Sequence, residues 1–289
     1  MNPFKTNIAK AVEFFDNKDI DKKLNELSAK DGFTLNKENV NKLISFLDLT
    51  TLEGNDNFEK VKKLCDKAKK PSDKKDVPHT AAVCVYPRFV NWVHVQTKGT
   101  GVKAATVATF FPSGQAPLEL KLAEVKYCIE HDADEIDMVI SRGEFLSGNY
   151  PFVFDEIKEV SKLCNHESLN KKVHLKVILE TGELKTPGNI YAASLLAIEG
   201  GADFIKTSTG KMSPAATLQA AYVMLYAIKE HFDKTGVRIG FKPAGGIRKT
   251  EEALQYASLV KNICSEEWLT PELFRIGASS LLDDLLTHN

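Results

Sequence analysis

Phe204-Ile205-Lys206-Thr207-Ser208-Thr209-Gly210 is a strand-like run with a lysine set among apolar and β-branched neighbours. Two other runs share its design: His174-Leu175-Lys176-Val177-Ile178-Leu179-Glu180 and Ile239-Gly240-Phe241-Lys242-Pro243-Ala244-Gly245-Gly246. Burying an ammonium forfeits several kcal/mol of hydration, so three lysines in core-type strands call for one common cause. A shared pocket in which one amine stays uncharged and nucleophilic supplies it, and points to an enzyme. An exposed edge strand, or a side chain snorkelling out of the core, explains one such lysine far better than three.

Working outward, short apolar or β-branched runs recur at Ile44 to Thr50, Ala81 to Tyr86, Ala104 to Phe111 and Glu135 to Ile140. Four more follow at Val173 to Glu180, Phe204 to Thr209, Arg238 to Pro243 and Leu273 to Ala278. Helical periodicity lies between them, as in Phe58, Val61, Leu64, Cys65 and Ala68. Thr186-Pro187, Ser213-Pro214 and Thr270-Pro271 each have the form of an N-cap followed by proline at the first helical position, and Gly200-Gly201 that of a helix stop. Eight strand–helix repeats predict a (β/α)8 TIM barrel, since parallel strands need helical crossovers. A doubly wound open sheet competes, and periodicity alone does not exclude it. The polar residues favour the barrel: Asp48, Thr50, Asp137, Lys176, Lys206, Lys242, Ser279 and Ser280 fall within or at the C-terminal ends of six runs. In a barrel those ends converge on one mouth; in an open sheet they spread along an edge.

The division expected is a helical extension over 1–40 and a barrel domain over 41–289. Ile8, Val12, Phe14, Phe15, Leu24 and Leu27, among many charges, predict amphipathic helices laid against the barrel, with a partner-binding arm as the alternative. Asp66 to Thr80, rich in lysine, is expected to be a solvated loop. The 289 residues suit one α/β barrel, and 43% hydrophobic content supports a large core. A formal net charge of −1 makes no electrostatic case for nucleic acid or a membrane surface. Five scattered cysteines without C-x-x-C favour a reducing compartment, and with neither signal peptide nor membrane span the expectation is cytosolic.

The chemistry follows from the lysines. Two ammonium groups ~5 Å apart at an effective dielectric of ~20 repel by ~3 kcal/mol. That is enough to bring a lysine from ~10.4 toward ~8. A neutral amine attacks a carbonyl to form a Schiff base, whose iminium is an electron sink for C–C cleavage or formation. Lys206 is taken as nucleophile and Lys242 as the charge beside it, although pattern alone does not rank Lys206 above Lys176. Asp137, in phase with Glu135 and Val139, is placed to relay protons through water, or to serve in a structural ion pair. Asp48 either orients a lysine or substrate hydroxyl, or caps the next helix.

Gly245-Gly246-Ile247-Arg248 and Gly277-Ala278-Ser279-Ser280 follow strands seven and eight, where barrels often bind phosphate through backbone N–H groups. Arg248 and Lys211 add charge there. Ordinary tight turns are the alternative. Thr209-Gly210-Lys211 looks like the end of a Walker A loop, but Ile205 stands where its first glycine is needed. The seven histidines (79, 94, 131, 166, 174, 231 and 288) show no paired ligand spacing, so no metal and no zinc-dependent aldolase is expected. Cys84 is read as a small buried hydrophobe, and no serine or cysteine has a credible His/Asp partner for a hydrolase triad.

Together these segments resemble the 2-deoxyribose-5-phosphate aldolase family, class I Schiff-base aldolases on a TIM barrel. The resemblance rests on Asp48-Leu49-Thr50-Thr51-Leu52, Val83 to Arg88, Ala133 to Asp137, Glu180 to Leu184, Phe204 to Lys211, Gly240 to Arg248 and Phe274 to Ser280, in order along most of the chain. It implies that Lys206 forms the imine, Lys242 lowers its pKa, and Asp137 is the acid/base, supported by Lys176 and Asp48. It implies that Thr209, Gly210, Lys211, Gly245, Gly246, Arg248, Gly277, Ser279 and Ser280 handle the phosphate end, with Thr50 added as a substrate contact. The substrate implied is a phosphorylated sugar, 2-deoxy-D-ribose 5-phosphate, with no cofactor, no nucleic acid and no membrane as partner; a homodimer is compatible. The extension is nearer to the longer members than to short bacterial forms. The end at Thr287-His288-Asn289 lacks the tyrosine-bearing tail of some members, which bears on the expected efficiency of proton transfer. The rival readings are another Schiff-base barrel lyase or transaldolase, and a scaffold protein that kept the fold.

Overall fold

The computed structural model describes residues 12–15, 19–167 and 172–289. Eight parallel strands form the core: β1 Leu47–Thr50, β2 Ala82–Val85, β3 Lys103–Ala108, β4 Glu135–Val139, β5 His174–Ile178, β6 Phe204–Lys206, β7 Gly240–Lys242 and β8 Ile276–Ala278. Their order is β7-β6-β5-β4-β3-β2-β1-β8. Single bridges from Phe241 to Phe274 and from Ala244 to Gly277 close the ring. The sheet is therefore a barrel, not an open doubly wound layer. Helices between the strands cover the outside, where the large apolar core lies.

All eight expected runs hold a strand; seven are trimmed, while β3 begins one residue early at Lys103 and stops at Ala108. Ile44 and Ser45 belong to the helix Lys37–Ser45, so the first strand begins only at Leu47. Lys37–Ser45 also spans the residue-40 boundary and is buried through Val40, Leu43 and Ile44. Thr186 caps helix Pro187–Glu199 by accepting from the Asn189 amide at 3.2 Å, and Gly200 ends it. The other two proline signals are not helix starts. Ser213-Pro214 lies in a loop with a cis peptide, and the next helix, Leu218–Thr235, is capped by Thr217. Thr270-Pro271 opens a turn closed by the Phe274 N–H on the Thr270 carbonyl at 2.8 Å, because strand β8 must begin within a few residues. Asp66 to Lys69 is the last turn of helix Phe58–Lys69 and not loop, since Cys65 and Ala68 continue its buried stripe.

The extension packs as amphipathic helix where it is described; Ile8 lies outside those residues. Phe15 is fully buried between Tyr191 and Tyr226, with ring centroids at 4.4 and 5.1 Å. Helix Ile20–Ser28 lays Ile20, Leu24 and Leu27 on helices Leu218–Thr235 and Thr250–Ile263. No described helix is long and apolar enough to cross a membrane.

Candidate active site

Side chains alternate across each strand, and the inward face of this barrel is divided. On one side β2 and β3 supply small apolar groups, Ala82, Cys84, Ala105 and Val107, with Leu52 above them. The other strands supply charge. Register aligns the pairs: Asp137 lies beside Lys176, and Lys206 beside Lys242, as neighbours on adjacent parallel strands. Gly240 leaves the space that the Phe204 ring fills; a Cβ there would sit 2.3 Å from a ring carbon.

The five residues expected to do chemistry meet at one centre. Asp137 Oδ2 accepts from Lys206 Nζ and from Lys242 Nζ, both at 2.7 Å, and Asp137 Oδ1 accepts from Lys176 at 3.1 Å. Lys242 also binds Asp48. Lys176 also binds Glu135 and lies 3.5 Å from Asp48 Oδ2. Asp48 therefore sits among cations and caps no helix; Asn57 caps the following one.

Two members of this centre were not singled out for a role by sequence reasoning. Arg275 donates to Asp48 Oδ1 at 2.7 Å, to Glu135 Oε1 at 2.7 Å and to Glu135 Oε2 at 3.2 Å. It stands in Phe274-Arg275-Ile276, the same pattern of a cation inside an apolar run, so the rule applied to the lysines finds it. Glu135 lies two residues before Asp137 on the same face.

Electrostatics separates the lysines. Burial pulls the Lys206 amine below its ordinary range, Asp137 pulls it back, and Lys242 adds to the downward shift. Lys242 is thus a contributor and desolvation the larger cause, a correction to the expectation that the neighbouring charge dominates. Burial acts on Lys176 and Lys242 as well, but Asp137 and a second carboxylate outweigh it and hold both above the usual lysine value. Burial opposes the charge on Asp48, Glu135 and Asp137 too, yet the surrounding cations hold all three below the ordinary carboxylate range. Burial pushes the Cys84 thiol up to about 11. Its Sγ lies 4.0 Å from Asp137 Oδ2, inside the charged centre's edge.

A cavity of about 270 Å³ opens above Lys206. Its wall holds Thr50, Thr209, Gly210, Lys211, Gly245, Gly246, Arg248, Gly277 and Ser279, nine of the ten positions expected to contact substrate. Ser280 is not part of that wall; it is the N-cap residue of the short helix Leu281–Thr287. Gly245 and Gly246 both have φ near +87°, a conformation that turns their backbone at the rim and resists any side chain. Lys211 is tied to Glu53 at 2.9 Å, and Thr50 Oγ1 donates to the Asp48 carbonyl at 2.9 Å. The Thr209 loop has an anchor that pattern reading did not find. Glu180, buried and left-handed at φ 58°, accepts from the Thr209 amide at 3.1 Å and from its hydroxyl, while Arg142 holds Glu180 from behind. Of the charged interior residues, Lys206 is the one that lines the cavity.

Comparison with known proteins agrees with this architecture. The sequence profile of the DeoC/LacD family aldolases matches residues 42–285. The chain is 48% identical to deoxyribose-phosphate aldolase of Mus musculus over 256 residues, covering 84% of this chain and 78% of the relative. It is 46% identical to deoxyribose-phosphate aldolase of Homo sapiens with the same coverage of 84% and 78%. Among solved structures, the tetrameric deoxyribose phosphate aldolase from Aeropyrum pernix superposes with a TM-score of 0.67 at 25% identity, over 86% of this chain and 91% of that one. A closed barrel, a lysine at the base of its mouth and a family match along most of its length lead to one conclusion: the chain belongs to the DeoC/LacD family and is an aldolase.

Proposed function

We propose that this aldolase reversibly cleaves 2-deoxy-D-ribose 5-phosphate to acetaldehyde and D-glyceraldehyde 3-phosphate, with Lys206 as the imine-forming residue. One observation carries the assignment: Lys206 lines the cavity, its amine touches a single carboxylate, and burial favours its neutral form. Lys176 and Lys242 are deeper, and each engages at least two carboxylates.

Neutral Lys206 Nζ adds to the C1 aldehyde, and the carbinolamine loses water to give the iminium. A base removes the proton of the C3 hydroxyl, the C2–C3 bond breaks, and its electron pair enters the iminium to form an enamine. Glyceraldehyde 3-phosphate, carrying C3 to C5, departs. The enamine C2 is then protonated and water hydrolyses the imine, releasing acetaldehyde. Asp137 bonds the Lys206 amine at 2.7 Å but does not line the cavity, which supports proton transfer by Asp137 through water, with Lys176 and Asp48 holding its orientation. The backbone at Gly210, Gly245, Gly246 and Gly277, with Arg248, Lys211, Thr209 and Ser279, is assigned to the phosphate. Thr50 is assigned to the sugar end. The barrel is the catalytic domain from residue 41 and 1–40 its extension. Five buried, unpaired cysteines suit a reducing compartment, and we assign the activity to the cytosol.

Borohydride reduction in the presence of 2-deoxyribose 5-phosphate, followed by mass spectrometry, tests the reading. The expected adduct is on Lys206 and disappears in Lys206→Leu along with turnover. An adduct on another lysine, or full activity in Lys206→Leu, refutes the assignment. Adducts formed only with other phosphorylated carbonyls would move the enzyme to a transaldolase-type reaction.

A further inference from the structure

Seven charged side chains face one another inside the barrel. They are Asp48 from β1, Glu135 and Asp137 from β4, Lys176 from β5, Lys206 from β6, Lys242 from β7 and Arg275 beside β8. Strand β2 adds only the Cys84 thiol, which is neutral at pH 7 because burial raises it to about 11. Strand β3 turns Ala105 and Val107 inward. At the lower edge His174 is held below its ordinary range, first by burial, and is neutral as well. The interior thus holds four groups that can be cationic against three carboxylates.

Arg275 is the cation that cannot give up its proton. It takes Asp48 Oδ1 and both oxygens of Glu135 from below, stacked at 5.7 Å from the Phe204 ring centre, and its Nε donates to the Pro271 carbonyl. Lys176 and Lys242 share what remains of Asp48 and Glu135, and both reach Asp137. Lys206 is left with Asp137 Oδ2, an oxygen already bonded by Lys242. Without Arg275, three lysines would face three carboxylates, and a proton on Lys206 would be balanced.

We propose that Arg275 is a positioning residue for the reaction: its permanent charge, fixed on Asp48 and Glu135, is the surplus cation that requires one barrel lysine to be neutral, and the pairing pattern selects Lys206. This deepens the assignment of Lys206 as nucleophile and rests on it. The residue touches neither cavity nor substrate; it acts through two carboxylates on the amine above them.

The test is the pH dependence of kcat/KM on 2-deoxyribose 5-phosphate, and of borohydride trapping at Lys206, in wild type, Arg275→Met, Arg275→Lys and Arg275→Met/Glu135→Gln. In Arg275→Met the rising limb moves to higher pH by about one unit, with activity at neutral pH down about tenfold and recovered on the alkaline side. Arg275→Lys keeps the charge and the wild-type limb. The double variant removes one cation and one carboxylate, restores the surplus, and returns the limb toward wild type. A purely structural role instead lowers activity equally at all pH values and most in the double variant. That outcome, or an unshifted limb in Arg275→Met, overturns the proposal. Should Arg275→Met not fold, Glu135→Gln alone decides, since it enlarges the surplus: a rising limb moved to lower pH supports the proposal, and an unshifted limb overturns it. A wild-type adduct on a lysine other than 206 sinks the underlying assignment instead, so the two failures are distinct.

Discussion

Lys121 and Lys206 are both buried lysines, and they are held in opposite ways. Lys121 lies outside the barrel, between helices Leu118–Glu130 and Tyr150–Cys164. It is paired with Glu156 and donates to Ser141 Oγ at 2.7 Å, while Glu156 accepts from the Ser141 amide at 3.0 Å and hydroxyl at 3.1 Å. One cation meets one carboxylate, and both are closed off from solvent. Lys206 lies inside, in a set where cations outnumber carboxylates, at the edge of an open cavity. Burial alone therefore does not mark a reactive lysine. Surroundings do: Lys121 meets one carboxylate between two helices, whereas Lys206 shares its carboxylate with Lys176 and Lys242 at the edge of a cavity, where burial, with Lys242 adding to it, draws its amine below the ordinary range.

Exchanging each lysine for methionine gives the largest contrast. Lys206→Met is expected to lose about 10⁴-fold or more in kcat with its melting temperature unchanged or raised, since a poorly paired polar group leaves the core. Lys121→Met is expected to keep kcat per folded molecule within about twofold but to lose ~3–5 kcal/mol of stability, because Glu156 is left charged and buried. Paired thermal melts and initial rates check both; a stable, slow Lys121→Met would erase the distinction. Next in size is Lys242→Met, which removes a cation from Asp48 and Asp137 together. The rising limb of activity against pH should move upward and the rate at pH 7 fall by about 10²-fold. An unchanged limb would show that desolvation sets Lys206 without help from Lys242.

The same contrast was only partly legible in the sequence. A lysine inside Leu175-Lys176-Val177 or Phe241-Lys242-Pro243 contradicts its surroundings, and the contradiction is visible before any fold is known. Lys121 is not visible in this way. On a helix, Leu120-Lys121-Leu122 is unremarkable, since a lysine there normally reaches solvent. Only the packing of a second helix, bringing Glu156, seals it in. Arg275 carried the same visible contradiction as the lysines. Glu180 did not: its backbone sits at φ 58°, and no residue pattern announces a glutamate there. The strands were legible because their β-branched runs repeat, and their ends were not, because a barrel strand stops where its neighbours stop. Proline after serine or threonine marked one true helix start, at Thr186, and two turns, because its fixed φ suits both.

Smaller effects sharpen the picture at the cavity rim. Arg248→Ala should raise KM for 2-deoxyribose 5-phosphate about tenfold and leave kcat/KM on unphosphorylated 2-deoxyribose unchanged. An equal loss on both substrates would remove Arg248 from the phosphate site. Acid should then separate charge from packing. Asp48, Glu135 and Asp137 have folded values below their unfolded ones, so their contribution is complete above the unfolded value and is lost as pH falls past it toward the folded value. Melting temperature should hold through neutral pH and drop below about pH 4. In Asp137→Asn that drop should be shallower; equal slopes would mean the acid-sensitive groups lie elsewhere.

The ring is closed late in the chain. Asp48 and Arg275 stand 227 positions apart and bond at 2.7 Å, and the last seam between β7 and β8 is held by two single bridges. A chain still emerging from the ribosome has made all three lysines before it makes the arginine. Until the final strand docks, Asp48 lacks the guanidinium that bonds its Oδ1, and the charged set inside the barrel is incomplete. The last strand to be made is thus the one that completes the charged interior.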